Sequence, residues 1–517
     1  MSEPSSEPEK YTIDEMMDRL KNRDSADPEG ELVTRSDGSQ ARKIKKRKRR
    51  SNQAVNKETK RNQKVQAMQI AGFVVLIAVA GLAIGVGVLY ANSTAFRESL
   101  IKKIGKTTEA KVSISQFRMN PVTANAAEVS FEWPAENVLK SLQIRSVKAG
   151  IAPASFLGKS FSGDEISAAS GDLVLRAPRN GNKPFPTSPS AKEISPIQFS
   201  RYAVPKLDLY FGEKNTENML EKTEASLFSS KLQGQAEIRL NAGLLKMKDW
   251  PPLILDRSYI LVRNSTLQFE SLRFNIPPSP NQRLVDRGFI DLSGNIKPLD
   301  TEEKHVLAVE MESFRLSYLL GADLGRFFLG SVETKDSPDS NFLEFQPGAD
   351  DTALLEMTLT SSLDSRIDMS NFAFLKSLAN VLEDRWYELP NFDTDVSVLL
   401  KRRGAVVELS QIRFEQRGRM ALQGSLVNSL TGEISGVIRI GLPDAIITSK
   451  KNKALDRMFG EVREDYRWLD LRIGGTSASP SDNFKELYEA AVKNDFVPSE
   501  NDEKTEIDSF EEIIYGR

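Results

Sequence analysis

The sequence predicts a mainly β protein: a single N-terminal transmembrane helix, then a long, antiparallel, curled sheet forming a β-groove, with a few short helices. Three observations predict it. An unbroken apolar run covers residues 70–91, most of the chain beyond it alternates apolar and polar residues with period two, and helical periodicity is scarce.

The apolar run reads IAGFVVLIAVAGLAIGVGVLYA, and no charge stands between Lys64 and Arg97. At about 1.5 Å per residue it is long enough to cross a hydrocarbon core of roughly 30 Å. It lacks the polar stripe of a helix packed in a soluble protein. It is also too long, and too far along the chain, for a cleavable signal peptide. From Arg42 to Lys64 there are twelve Lys or Arg and one acid, Glu58, against four basic residues and one acid from Asn92 to Lys106. The positive-inside rule then puts the N-terminus in the cytoplasm and the bulk across the membrane. The cluster KIKKRKRR from Lys43 to Arg50 reads as a topology signal that touches anionic headgroups, in preference to a nucleic-acid patch.

Beyond the anchor, Val129, Phe131 and Trp133 alternate with Ser130 and Glu132, and Ala236, Ile238 and Leu240 alternate with Glu237 and Arg239. Leu267 and Phe269 alternate with Gln268 and Glu270. Such segments are strands with one apolar and one polar face. The best helix spans residues 372–386: Phe374, Leu375, Leu378 and Leu382 share a face, Ser370 or Asn371 is placed to cap it, and Pro390 follows. Shorter helices are expected at 98–104 and 482–492.

These signals divide the chain into a polar, basic and largely unstructured tail (1–66), the anchor (67–92) and a first β region (93–177). A Pro/Ser-rich loop (178–196), a second β region (197–495) and an acidic tail (496–517) follow. Within the first tail, the stretch from Tyr11 to Asn22 has capping-box spacing and an apolar face, so it is a candidate docking helix for a cytoplasmic partner.

Composition narrows the chemistry. The 517 residues carry a formal net charge of −2, which does not suit nucleic acid, and there is no cysteine for disulfides or thiolate metal sites. The one histidine, His305, rules out His-pair zinc sites and argues against Ser-His catalysis. Ser99 and Lys102, with Ser481-Asp482-Asn483, echo penicillin-binding enzymes, but no K-T-G follows. The expectation is a non-enzyme without cofactor or metal.

Three stretches resemble the AsmA-like family of bacterial envelope proteins: SLIKKIGKTTEAKVSISQFRMNP (99–121), SVKAGIAPASFLGKSFSGDEISAASGDLVLRAP (146–178) and LDLRIGGTSASPSD (469–482), the last beside Leu422-Gln-Gly424. The resemblance runs from about residue 68 to residue 492. It implies a relative of TamB-like, bridge-type lipid transporters, set in the inner membrane with its bulk in the periplasm. There it would carry acyl chains along an apolar trough for outer-envelope assembly, with membrane lipids and an envelope protein as partners. The residues expected to line that trough are Ile238, Leu240, Leu267, Phe269, Ile290, Leu292, Leu422 and Leu426. In-phase glycines, Gly234, Gly294 and Gly424, mark a bend, a bulge or a close approach on the same face. A closed sandwich, serving as an anchored scaffold without lipid, would alternate identically. What separates the two is whether protein covers the apolar faces.

Overall fold

The computed structural model describes residues 31–43, 78 and 88–496, except 153–160, 180–196, 213, 216, 230–234, 264–265, 279–287, 299, 336–339, 348–352 and 364. The anchor run and the stretch from Tyr11 to Asn22 lie outside these residues, apart from residues 78 and 88–91 of the former. Among the described residues no helix is long and apolar enough to cross a membrane. The chain forms two compact units, residues 1–82 and 83–517.

In the first unit, Glu31–Thr34 pairs antiparallel with Gln40–Lys43, Thr34 facing Gln40 and Glu31 facing Lys43. Gly38 takes φ +80° in the turn, where the Asp37 carboxylate accepts from the Ser39 N–H (3.1 Å) and hydroxyl (2.7 Å). This hairpin is an element of structure that the reading of a largely unstructured tail did not include. A turn built on Asp-Gly was present in the sequence and outweighed its overall polarity.

The second unit is mainly β and holds one long sheet. Its pairings proceed from Lys111–Ser115 through Thr123–Glu132, Leu139–Ile151, Phe161–Ser167 with Ser170–Leu175, Ile197–Phe211, Met219–Ser229, Gln235–Asn241 and Leu253–Arg263 to Thr266–Asn275. They continue through Phe289–Ile296, His305–Glu312, Phe342–Phe345, Leu354–Ser361, Asp395–Arg403, Val406–Gln416, Met420–Asn428 and Ile434–Pro443 to Tyr466–Gly475. Small rings of pairing arise where two short strands share neighbours. Phe161–Ser167 and Ser170–Leu175, for example, both lie between Leu139–Ile151 and Ile197–Phe211. Among the described residues nothing pairs Lys111–Ser115 with the C-terminal strands, so the sheet keeps two edges.

The pairing is antiparallel except at one place. Ile197–Phe211 runs parallel to both Phe161–Ser167 and Ser170–Leu175. Parallel neighbours need a crossover of a dozen residues or more, and the chain between Leu175 and Ile197 supplies it. The sheet is therefore continuous across residues 178–196.

Helices sit over the apolar face near its two extremes. Thr94–Thr108, N-capped by Ser93 (Phe96 N–H to Oγ, 3.2 Å), buries Leu100 and Ile104 with Val112, Val129 and Trp133. At the other extreme, Ala373–Leu382 buries Phe374, Leu375, Leu378 and Leu382 in the main core, with Leu422, Ile438, Ile440 and Leu471 from the strands. The expected 372–386 helix is thus two pieces. Glu383 takes φ +50° at its C-cap, and a 3-10 turn, Arg385–Glu388, follows with Asp384 as its cap (Trp386 N–H, 2.9 Å).

Neither Ser370 nor Asn371 caps that helix. Both donate instead to the Arg326 carbonyl (3.0 and 2.7 Å). The capping acceptor is Asp482, from the end of the sheet. One of its oxygens accepts from Phe374 N–H (2.7 Å) and the other from Phe484 N–H (3.1 Å), which opens the helix Phe484–Lys493. Burial pushes the Asp482 carboxyl above its ordinary value, against those two hydrogen bonds. Asp482→Ala is expected to cost about 1–3 kcal/mol by leaving two helix ends without an acceptor. Urea unfolding of residues 93–517 measures it. Because the folded state raises this pKa, it binds the proton more readily than the unfolded chain. Wild type should therefore gain stability relative to Asp482→Asn as pH falls from neutral toward the usual Asp range.

Candidate functional site

Residues paired across a sheet point to the same side, so the register alone traces what one face presents. One row runs Ala149, Ile166, Tyr202, Leu227, Ile238, Ile260, Phe269, Gly294, Leu307, Leu343, Leu355. No charged residue occurs in it. A second runs Leu220, Leu209, Leu173, Leu142, Phe131, Val112. A face this long and apolar must be covered by something or left against solvent.

Cover differs along it. At the N-terminal extreme Ala149 is buried with Ala91 and Phe199. At the C-terminal extreme Leu307 and Leu355 belong to the main core, filled by Phe314, Leu316, Leu324, Phe374 and Leu378. Between them, Leu227, Ile238, Val262 and Leu267 are only half-buried and join none of the buried clusters, whereas Ile260, paired with Ile238, is buried at 7% exposure. A cleft of about 260 Å³ opens at the ends of the same strands, lined in part by Ala236, Glu237, Val262 and Arg263.

The opposite face of these strands is polar. Arg239 lies over the Phe228 and Tyr259 rings, 5.0 and 5.5 Å from their centroids, and Arg201 is 5.5 Å from that of Phe228. Arg273 pairs with Asp291 at 2.9 Å. Charge is thus segregated to one side of the sheet, leaving the half-buried stretch as an uncharged apolar surface.

The structure splits the eight residues expected to line a trough. Ile238 and Leu267 lie on the uncovered stretch, while Leu240 and Phe269, also half-buried, touch the main core at its border. Ile290 and Leu292 belong to that core, at 8% and 9% exposure. Leu422 and Leu426 are a correction. Both are fully buried in protein, because the Ala373–Leu382 helix shares their core at that point.

Two of the glycines sit at a bulge with a close approach, as expected. Gly424 sits at φ +138° opposite a bulge between Leu409 and Ile412, and a Cβ there would collide with the Val437 carbonyl. Gly294, at φ +142° and facing Phe269 beside a second bulge, would place a Cβ 3.0 Å from Leu307 Cδ2. These positions admit a neighbouring strand, with no spare room for cargo. Gly234 lies outside the described residues. Sequence reasoning missed Leu227 and Val262, whose alternation was visible but whose half-burial was not, and Tyr202, which packs against the cluster around Phe199.

Comparison with protein-family models, curated proteins and solved structures gives no match.

Proposed function

We propose that this protein is a membrane-anchored envelope protein of the AsmA-like type, and that it holds lipid acyl chains on the stretch between Tyr202 and Gly294. One observation carries the reading: a charge-free apolar row is half-buried at Leu227, Ile238 and Phe269 in its middle, with Ile260 buried among them, while both its extremes lie in buried clusters. Spanning the strands from Tyr202 to Gly294 at a spacing of about 4.8 Å, the stretch is about 24 Å long. That is shorter than one hydrocarbon core of about 30 Å. Holding a lipid for hand-over to an envelope partner fits that length better than bridging two membranes. No catalytic role is proposed.

A photo-crosslinking side chain at Ile238, with one at Glu237 as the opposite-face control, tests this. Lipid adducts at position 238 and not at 237 are the expected result. No adduct at either would end the lipid reading. The scaffold reading keeps one specific support, the protein-filled core around Leu422 and Leu426. We assign that part of the sheet to structure rather than cargo.

The proposed topology has residues 70–91 in the inner membrane, the N-terminus in the cytoplasm and the sheet in the periplasm. In intact cells, cysteine at Ser36 should be shielded from a membrane-impermeant thiol reagent while cysteine at Asn182 labels. The chain's own lack of cysteine makes the background clean. The reverse pattern would overturn the topology.

A further inference from the structure

The apolar run at residues 70–91 does not reach the sheet through a free linker. Its last turn, residues 88–91, is helical, and Ala91 is 3% exposed, buried with Met119, Ala124, Ala149, Ile151 and Phe199. The Asn92 side chain then bonds to the backbone of the sheet. Its amide donates to the Met119 carbonyl (2.7 Å) and to the Val88 carbonyl (2.8 Å), and its oxygen accepts from the Met119 N–H (2.8 Å). Asn92 thus pairs with Met119 much as a neighbouring strand residue would, and ties the end of the run to the short strand Arg118–Met119.

The turn that follows, residues 120–123, is tightly made. Asn120 Oδ1 accepts from the N–H groups of Val122 (3.0 Å) and Thr123 (2.7 Å), and the Val122 carbonyl accepts from the Ile151 N–H (2.9 Å). This turn nevertheless holds an apolar side chain outward: Val122 is 56% exposed. Three residues of chain separate it from Met119, a span of at most about 11 Å. Leu89 and Tyr90, on the last turn of the run, are also exposed, at 76% and 59%. The Tyr90 ring stands edge-on to Phe96, 5.6 Å between centroids, so its place beside the sheet is set by packing. Tyrosine is enriched at the level where a helix leaves a bilayer. Arg118 is exposed at the same end, and Arg97 is half-buried in the first turn of Thr94–Thr108.

We propose that the turn at 120–123 is a membrane-contact surface. Val122 enters the headgroup layer of the bilayer that residues 70–91 span, Arg97 and Arg118 meet its phosphates, and Asn92 holds the turn in place. Continuity with the anchor favours a bilayer as the occupant over a protein partner, because Asn92 and Ala91 fix the turn beside the point where the chain leaves the membrane. The sheet is thereby set at a fixed angle to the membrane instead of swinging on a tether. This rests on the topology proposed above.

The test uses the full chain in phosphatidylcholine–phosphatidylglycerol vesicles. The chain has no cysteine of its own, so single cysteines at Val122, Leu89 and Glu136 can each carry a fluorophore. Lipids with a nitroxide on the headgroup are the quencher. Glu136 is exposed beyond the far end of Thr123–Glu132, a ten-residue strand about 33 Å long. Probes at Val122 and Leu89 should lose most of their fluorescence, and the probe at Glu136 should keep it. Quenching at Leu89 without quenching at Val122 would overturn the contact surface, giving the turn to solvent or to a protein partner while the anchor stands. No quenching at Leu89 would end the anchor reading, and this proposal with it. Equal quenching at Val122 and Glu136 would show a sheet adsorbed along its whole strand, with nothing particular to the turn, and would also overturn the proposal.

Asn92→Ala should weaken the quenching at Val122 and leave that at Leu89 as it was. Undiminished quenching at Val122 would overturn the role of Asn92 as the clamp. The comparison of Val122 with Glu136 is made in an otherwise wild-type chain, so it decides the contact surface even if Asn92→Ala fails to fold.

Discussion

Leu422→Asp is expected to abolish cooperative folding of the β unit, whereas Ile238→Asp leaves the fold intact and removes lipid. Both positions lie on alternating strands, Ile238 between Glu237 and Arg239, and Leu422 between Ala421 and Gln423. Leu422 has no exposed surface and packs with Phe374, Leu378, Ile440 and Leu471. An unpaired carboxylate there has no water and no partner, at a cost of several kcal/mol or more, which rivals the whole stability of about 5–15 kcal/mol. Ile238 is half-buried and belongs to no cluster, so a carboxylate there stays hydrated. Thermal melting followed by circular dichroism separates the two, and lipid mass spectrometry of the purified protein reads the second effect. Unfolding by both variants, with no lipid in the parent, would favour a closed core throughout.

Leu378→Ala is the second large effect, expected at about 2–5 kcal/mol. Leu378 is fully buried on the helix that packs with the C-terminal strands, beside Phe374, Leu375 and Leu382. Removing its branched end leaves a cavity that a helix pinned at its N-terminus by Asp482 cannot easily close. Urea unfolding of residues 93–517 gives the number, and a midpoint equal to wild type would show that the helix is not packed as described. The variant should leave lipid bound near Ile238 unchanged, because no described contact links the two.

The fold was legible in the sequence to the extent that its physics is local. Alternation at Val129–Phe131 and at Ala236–Ile238–Leu240 marked strands, and the spacing of Phe374, Leu378 and Leu382 marked the helix, because side-chain direction follows backbone geometry within a few residues. The hairpin at Glu31–Thr34 and Gln40–Lys43 was hidden by the polarity around it, although its Asp37-Gly38 turn was in plain view. The parallel pairing of Ile197–Phe211 was not legible, since nothing local distinguishes a crossover from a hairpin once the connection is long.

What the sequence by itself determined is which side chains share a face: Ile238, Leu267, Leu422 and Leu426 are on apolar faces by period alone. What only the tertiary structure decided is which faces meet protein and which are left open. The helix Ala373–Leu382 fills the sheet over Leu422 and Leu426, and no described helix joins Ile238 and Leu267 in a cluster. The same division explains Arg402, a charge on an otherwise apolar strand face whose burial depends on Asp249 and Leu319, far away in sequence. Burial is a long-range property, set by how a sheet coils and what fills it, and hydrophobic period carries no record of the filling.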